Sequence, residues 1–321
     1  MNEVFSVALD LGLRQQLTNT PGISPDNNAY LNPFYQGVRM LPNLPMYAPN
    51  GLPVGYRSNA GWVNPIASVE KSGYQRGQTN VFQGNIAFKI KVPGVKGLEM
   101  KLLAAYDKSS TENKSWLTPY TLMGRDRDMV TGDFQVVNTL PGITKTTLRQ
   151  SYSQYNRKTF QPSITYTNQF GDHAVSALVL YEWSQQKSNV FSTGASNFAL
   201  TDLHEIGYGS KANDDLISPT GSSAIDDSRA GMVARVNYTF KDRYLLEIAS
   251  RYDASVNFMP AKRWDIFPAV GAGWVISKES FFDRLSSTVN YLKLKGSIGK
   301  VGNDNAANFA YMRTFSLPLP R

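Results

Sequence analysis

The sequence predicts an all-β chain: an antiparallel up-and-down transmembrane β-barrel segment of about nine strands, with long extracellular loops and short periplasmic turns. Three observations lead to this prediction. Apolar and polar residues alternate with a period of two in nine segments of the chain. The connections between those segments mostly alternate between short and long. Most segments approach the length of about 9–11 residues that a membrane-spanning strand needs, and aromatic residues fall near their ends.

The alternation is clearest in two neighbouring segments, 232–240 and 244–253. In the first of them Val236 and its even-numbered neighbours are apolar, whereas Arg235 and Asn237 are polar. Because successive side chains of a strand point to opposite faces, each segment is predicted to have one apolar and one polar face. The nine predicted strands, in chain order, span 5–14, 82–91, 98–107, 160–170, 175–183, 232–240, 244–253, 270–276 and 292–298.

The lengths of the connections indicate the architecture. Short connections are predicted at 92–97, 171–174 and 241–243, and roughly a dozen residues precede the last strand. Long loops are predicted at about 18–79, 109–156 and 185–229, whereas the link at 256–265 is shorter than these. In an up-and-down sheet alternate connections lie at opposite ends, so most long loops gather at one rim, as in outer-membrane barrels. The pattern alone leaves a soluble β-sandwich or a solenoid with an aromatic core as alternatives.

The composition excludes several kinds of chemistry. The 321 residues include no cysteine, which excludes disulfides, thiolate metal sites and cysteine nucleophiles, and they include only two histidines, His173 and His204. The run from Ile266 to Ile276 is the longest made only of apolar, glycine and proline residues, and it is too short for a membrane-spanning helix. No cofactor and no metal site is expected. The net charge of +8 is spread along the chain without a basic run, so nucleic acid is not an expected partner.

Several motifs occur in an order that is similar to one known family. The stretch KDRYLLEIASRYDAS at 241–255 resembles a hallmark of SusC/RagA-type TonB-dependent transporters, and LKLKGSIGKVGN at 292–303 follows in the expected order. Shorter matching stretches are NPIA at 64–67, SGY at 72–74, PGVKGL at 93–98, RW at 263–264, FP at 267–268 and GWVISKE at 273–279. The resemblance spans most of the chain and is densest at 62–107 and 229–304.

The resemblance implies a large single-chain barrel of about 22 strands around an internal plug, in the outer membrane of a Gram-negative bacterium. Such a barrel imports glycans, peptides or other bulky nutrients, with a SusD-like lipoprotein over its mouth and energy from the TonB complex. The sequence shows no signal peptide, plug domain or closing strand, so residues 1–321 are interpreted as one partial barrel domain cut from a longer protein.

Polar residues on two adjacent predicted strands are the candidates for a substrate path through the barrel. These residues are Arg235, Asn237, Glu247, Arg251 and Asp253. The alternative role for them is cross-strand ion pairing inside a wet barrel. Three acidic pairs, Asp126/Asp128, Asp214/Asp215 and Asp226/Asp227, lack the ordered spacing of a calcium loop and are interpreted as solvated loop charge.

The first long loop, between residues 19 and 80, is rich in aromatic residues. The resemblance places the SusD-like lipoprotein, here called the lid, over the rim that carries the long loops. Aromatic side chains often anchor protein interfaces. Tyr47, Tyr56 and Trp62 are therefore candidates for contact with the lid, and packing of the loop against itself is the alternative.

Three classes of function remain in view. The leading one is a share in nutrient import by an outer-membrane barrel. The second is a soluble β-rich glycan-binding module that uses the loop aromatics. The third is an enzyme with two facing carboxylates, such as a glycoside hydrolase, but the sequence carries no catalytic motif and we do not predict an enzyme.

Overall fold

The computed structural model describes residues 4–22, 32–58, 61–124, 135–138, 144–285, 287–305 and 311–312. The acidic pair Asp126/Asp128 lies outside these residues. The described part of the chain contains thirteen strands, two short α-helices and five short 3-10 helices. The strands are β1 (Phe5–Pro21), β2 (Val54–Ser58), β3 (Gly61–Val63), β4 (Gly73–Lys91), β5 (Leu98–Leu117), β6 (Thr121–Gly124), β7 (Gln135–Asn138), β8 (Thr147–Phe170), β9 (His173–Ser196), β10 (Leu216–Phe240), β11 (Tyr244–Ser255), β12 (Trp264–Val275) and β13 (Lys293–Gly299). The α-helices are α1 (Pro33–Arg39) and α2 (Pro65–Glu70).

Nine strands form one antiparallel sheet in the order β1-β4-β5-β8-β9-β10-β11-β12-β13. Each strand pairs with the next strand of this sheet along the chain, which is the up-and-down arrangement that the sequence predicted. The prediction of an all-β barrel segment of about nine strands is therefore confirmed. None of the helices that the structure describes has the length and the apolar character needed to cross a membrane.

The connections of the large sheet alternate strictly between its two ends. At one end, called the turn end here, strands join through residues 92–97, 171–172, 241–243 and 276–292. At the other end, the loop end, they join through residues 22–72, 118–146, 197–215 and 256–263. At the turn end, Lys241 and Asp242 both adopt a left-handed conformation, with φ of 52°, which lets the chain reverse in three residues.

The central strands are longer than the sequence predicted, so the predicted loop bounds of 18–79, 109–156 and 185–229 are too wide. Strand β8, for example, begins at Thr147 rather than near residue 160, and β5 continues to Leu117. The added portions lie at the loop end, where both faces of a strand carry mainly polar residues. Without an apolar face there is no alternation to recognise, although the backbone ladder continues.

The two faces of the large sheet differ in the way that the alternation predicted. Residues directly opposite each other on neighbouring strands share a face, and Val236 stands in one row with Ile248, Val270 and Ile298. These four side chains are 44%, 50%, 44% and 80% exposed, respectively. We call this apolar side the outer face and the polar side the inner face.

Aromatic residues border the outer face at both ends. Phe240 and Tyr244 stack at the turn end, with ring centroids 6.4 Å apart, and Tyr252 and Trp264 stack at the loop end at 4.7 Å. Ala230 of β10 lies opposite Trp183, one of the aromatic residues at the loop end. From Ala230 to Phe240, strand β10 rises about 33 Å. A strand tilt of about 40° reduces this to a height of about 25 Å, which matches the apolar band of a membrane barrel.

The loops at the loop end form a folded layer, which we call the loop subdomain and define as the described residues within 32–72 and 118–138. Its sheet has the order β3-β2-β6-β7, and β2 and β6 run parallel. Leu122 is fully buried there with Ala67 and Tyr120. Asn64 caps α2, because its side chain accepts a hydrogen bond of 2.9 Å from the Ala67 backbone N–H.

A second apolar cluster fixes the loop at 197–215 to the ends of the long strands. Trp116, Leu148, Ala195 and Phe198 are buried together. His204 stacks on Trp116 with ring centroids 4.0 Å apart. Most of the buried core of the described chain therefore lies at the loop end, whereas Val275 and Phe282 are buried at the turn end.

Candidate functional site

The inner face carries the five polar residues that the sequence singled out. Arg235 and Asn237 of β10 share this face with Glu247 of β11, and the register places Asn237 directly opposite Glu247. The Arg235 guanidinium donates a hydrogen bond of 2.9 Å to Glu247. Arg251 donates two bonds, of 3.0 and 3.1 Å, to the carboxylate of Asp253 two residues further along the strand. Cross-strand and same-strand ion pairing, the alternative role for these residues, is thus present in the structure.

A cavity of about 530 Å³ opens on the inner face near the loop end, and we call it the loop-end cavity. Its walls come from β8 to β12 and from the residues that follow β11 and β13. Six basic and five acidic residues line it: Arg157, Arg229, Arg251, Lys262, Arg263, Lys300, Glu182, Asp227, Asp253, Asp265 and Asp304. The charges nearly balance, so the cavity presents donors and acceptors together rather than a field of one sign.

Most of the charged groups in the loop-end cavity have partners. Lys300 donates to both carboxylate oxygens of Asp265 at 2.8 and 2.9 Å, and Arg229 lies 2.9 Å from Asp304. The Oδ1 atom of Asp227 is different, because it is buried and accepts no hydrogen bond from a described residue. A buried acceptor without a donor is costly, so this oxygen lowers the local stability of the cavity wall.

The structure brings only part of the predicted site together. Arg251 and Asp253 line the loop-end cavity, whereas Arg235, Asn237 and Glu247 lie nearer the turn end and outside it. Sequence reasoning missed Arg157, because β8 was predicted to begin beyond it, and it missed Glu182, because the inner face of β9 is largely apolar. The parity of β8, extended three residues toward its start, would have found Arg157.

The aromatic loop residues have different environments. Tyr56 donates a hydrogen bond of 3.1 Å to the backbone oxygen of Gln36, and burial raises the pKa of the Tyr56 phenol. Trp62 packs against the buried cluster around Leu122. Tyr47 is 44% exposed. Packing of the loop against itself, the alternative for these residues, therefore occurs at Tyr56 and Trp62.

One acidic pair was misjudged from the sequence. Asp215 is not solvated loop charge: it is only 4% exposed and lies 2.6 Å from the Lys145 ammonium. Hydrogen bonds from Lys145, Ser210 and Asn197 lower the pKa of Asp215 to about 2. The ionised carboxylate thus stabilises the loop at 197–215 above the usual Asp pKa, and this contribution is lost as the pH falls toward 2.

The other acidic residues of those pairs differ from Asp215. Asp214 is exposed, as expected of loop charge, and Asp227 is a half-buried wall of the loop-end cavity. Within the described ranges no group of three or more histidine, aspartate and glutamate side chains is placed to hold a metal ion. His173 lies at the turn end and donates to or accepts from the Tyr238 hydroxyl at 2.7 Å, and His204 lies at the loop end against Trp116, so neither lines the cavity.

Comparison with known proteins gives relatives of one kind. No protein-family model matches the sequence. The chain is 29% identical over 203 residues to TonB-dependent receptor P39 of Formosa agariphila, which covers 54% of the chain and 19% of that protein. It is 25% identical over 315 residues to TonB-dependent receptor P26 of the same organism, which covers 94% of the chain and 29% of that protein. It is 23% identical over 250 residues to the TonB-dependent receptor SusC of Bacteroides thetaiotaomicron, which covers 78% of the chain and 22% of that protein.

Solved structures share the fold. The chain superposes on the RagAB peptide transporter with a TM-score of 0.70 at 20% identity, covering 96% of the chain and 32% of that protein. The RagAB peptide importer in its 'open-open' state gives a TM-score of 0.71 at 19% identity with the same coverage. The chain thus spans between a fifth and a third of the length of these proteins. The resemblance to SusC/RagA-type TonB-dependent transporters, as a segment of the barrel, is confirmed.

Proposed function

We propose that this segment of a SusC/RagA-type TonB-dependent transporter forms part of the wall of an outer-membrane importer of bulky nutrients, glycans or peptides, in a Gram-negative bacterium. The observation that carries the proposal is the nine-stranded sheet, whose outer face is apolar and whose inner face is charged. A wall that separates lipid from a polar passage needs these two faces. The proposed role is transport without catalysis.

The inner face supports passage of a polar substrate. The loop-end cavity offers both positively and negatively charged side chains. Sugars and peptides present donors and acceptors together, so a surface of balanced charge suits either class. In this proposal the TonB complex supplies energy through a part of the transporter other than the residues of this chain.

Growth on single nutrients tests the proposed import. We expect deletion of the gene to abolish or strongly slow growth on at least one polysaccharide or peptide mixture offered as the only carbon source, while growth on a monosaccharide stays normal. The measurement is the growth rate across a panel of both substrate classes, with the gene restored in trans as the control. Unchanged growth on the whole panel would contradict an import role for nutrients of these classes.

The alternative of a soluble glycan-binding module fits the outer face poorly. In β1 alone Leu9, Leu11, Leu13 and Leu17 are 62–83% exposed. A soluble sheet buries one face against a second layer, and contiguous exposed apolar surface of this extent marks a surface that contacts lipid or protein. We therefore propose that the outer face contacts the lipid bilayer.

We further propose that the loop subdomain contacts a SusD-like surface lipoprotein at the extracellular mouth. Helix α1 supports this role, because Phe34 and Val38 stand one turn apart and are 86% and 88% exposed. Tyr47 is exposed in the same subdomain, whereas Tyr56 and Trp62 are engaged in its packing. The proposed anchors are therefore Phe34, Val38 and Tyr47.

Charge placed on α1 tests this contact. In the complete transporter, Phe34→Asp combined with Val38→Asp should lower co-purification of the lipoprotein at least tenfold, because buried aromatic and aliphatic anchors usually dominate binding energy. Barrel assembly should be unchanged, since both side chains are already in contact with solvent. Leu200→Asp, at a 60% exposed position in the loop at 197–215, is the control that should retain the lipoprotein. Full retention by the α1 variant would show that the contact lies elsewhere.

A further inference from the structure

Lysines stand on the outer face of the sheet, next to the aromatic residues of the loop end. Lys108 of β5 lies directly opposite Phe82 of β4, and Lys158 of β8 lies directly opposite Tyr106 of β5. Both lysines follow the parity of the apolar positions of their strands, so they point away from the inner face. Lys158 is exposed and Lys108 is half-buried. Each strand thus passes from apolar to aromatic to cationic within a few residues.

The register gathers these lysines around one amide. Asn156 of β8 lies directly opposite Lys108 on one side and Lys187 of β9 on the other. Lys158 is two residues from Asn156 on the same face of β8. Neighbouring strands are about 4.8 Å apart and diagonal neighbours about 7–8 Å, so long ammonium-bearing side chains from all three strands reach one point. Lys108, Lys158 and the Asn156 amide therefore surround a single position on the outer face, with Lys187 beyond them opposite Asp226 of β10.

Charge compensation differs between the two faces. On the inner face Lys89 lies 2.7 Å from Glu99, and Arg235 lies 2.9 Å from Glu247. On the outer face neither Lys108 nor Lys158 forms an ion pair with any residue that the structure describes. The next outward carboxylate of β5 is Glu112, four residues or about 13 Å from Lys108. Asp226 of β10 lies directly opposite Lys187, so the positive charge that the outer face keeps where its apolar band ends is that of Lys108 and Lys158.

We propose that Lys108 and Lys158, with Asn156, bind the phosphate group of a lipid headgroup in the outer leaflet. The inference rests on the proposed function, because it requires that the sheet spans the membrane. Aromatic side chains mark the headgroup level of a bilayer, and lysines near that level extend their apolar stems along the protein and their ammonium groups into the headgroups. Directly below the lysines, Phe160 and Ile164 are 40% and 43% exposed and give the acyl chains an apolar surface.

The combination of apolar surface and cations favours an amphiphile over a dissolved anion. A soluble phosphate would gain only the electrostatic contacts, which salt screens strongly at an exposed site. A phosphorylated lipid gains the same contacts and buries its chains against the band below. Each lysine near a membrane surface adds roughly a fivefold preference for anionic lipid, so two lysines together should add a preference of roughly 25-fold.

Lipid selectivity in nanodiscs tests the site. The complete transporter is incorporated into nanodiscs that contain phosphatidylglycerol and phosphatidylcholine, and the lipids that stay bound are identified by native mass spectrometry. Lys108→Gln combined with Lys158→Gln should reduce the retained phosphatidylglycerol relative to phosphatidylcholine about 25-fold. The control, Lys101→Gln combined with Arg157→Gln, removes two charges from the same two strands on the inner face and should leave the ratio unchanged.

The outcomes separate this inference from the proposed function. Equal loss in the two double variants would show that net charge alone attracts the lipid and would overturn the site. Binding of inorganic phosphate to the wild-type protein in pure phosphatidylcholine nanodiscs, lost in the outer-face variant, would identify a site for dissolved anions and would also overturn it. If the protein does not enter nanodiscs at all, the proposed function fails together with the inference.

Discussion

Replacement of Val236 by arginine should destabilise the complete barrel in its membrane by about 2–4 kcal/mol, the cost of a cation at the lipid-facing midplane. Val236 is 44% exposed on the outer face, opposite Ala177 on one side and Ile248 on the other. It lies four residues from Phe240, near the middle of the apolar band. The measurement is the urea concentration that halves the folded fraction in outer-membrane vesicles, read from the heat-modifiable mobility of the barrel.

The neighbouring residue gives the matched control. Asn237 lies on the inner face opposite Glu247, so an arginine there has water and a carboxylate within reach. Asn237→Arg should therefore change the midpoint little. If both variants lowered the urea midpoint by the same amount, the assignment of the two faces would be wrong.

This pair also shows what the sequence predicts well. The parity of Val236 and Asn237 assigns the two faces correctly, because side chains of a strand alternate whatever surrounds them. The same alternation, together with the turns at 92–97 and 241–243, predicts the order of the strands, since an up-and-down sheet pairs consecutive strands. Information that lies within ten residues of chain was sufficient for these features.

Features that depend on distant residues were not predictable. The loop subdomain pairs Val54 with Met123 in a parallel bridge, and Leu122 packs with Ala67. These contacts join segments more than fifty residues apart whose short strands carry no periodic pattern. Asp215 is another case, because its low exposure and its bond to Lys145 arise from two separate loops. Charge in a loop is usually solvated, and only the packing of those loops makes this carboxylate an exception.

The candidate site was predictable in part for the same reason. Arg251 and Asp253 stand on a strand with clear alternation, so their inner-face position followed from the sequence. The cavity that they line is completed by Lys300 and Asp304, which follow β13, and by Phe258 from the connection at 256–263. No local signal connects these residues with β11, so the cavity emerges only from the tertiary arrangement.

The second large effect is expected at Gly97, in the turn that joins β4 and β5. Its φ of +85° is unfavourable for an L-residue, and a Cβ atom there would lie 1.9 Å from the backbone oxygen of Thr167. The Thr167 N–H also donates a hydrogen bond of 2.9 Å to the Gly97 oxygen, so the two backbones cannot separate without losing that bond. Gly97→Ala should destabilise the barrel by about 3 kcal/mol or more, because backbone strain and steric overlap add.

A second glycine of the same turn separates these two causes. Gly94 has a φ of +79°, but a Cβ atom there would meet nothing within 4 Å. Gly94→Ala should therefore show the conformational penalty alone, about 1–2 kcal/mol. The urea midpoint of each variant in membrane vesicles gives the comparison. If the two alanines cost the same, the close approach of β8 to the turn does not contribute to stability, and the packing of this turn against Thr167 is looser than the structure has it.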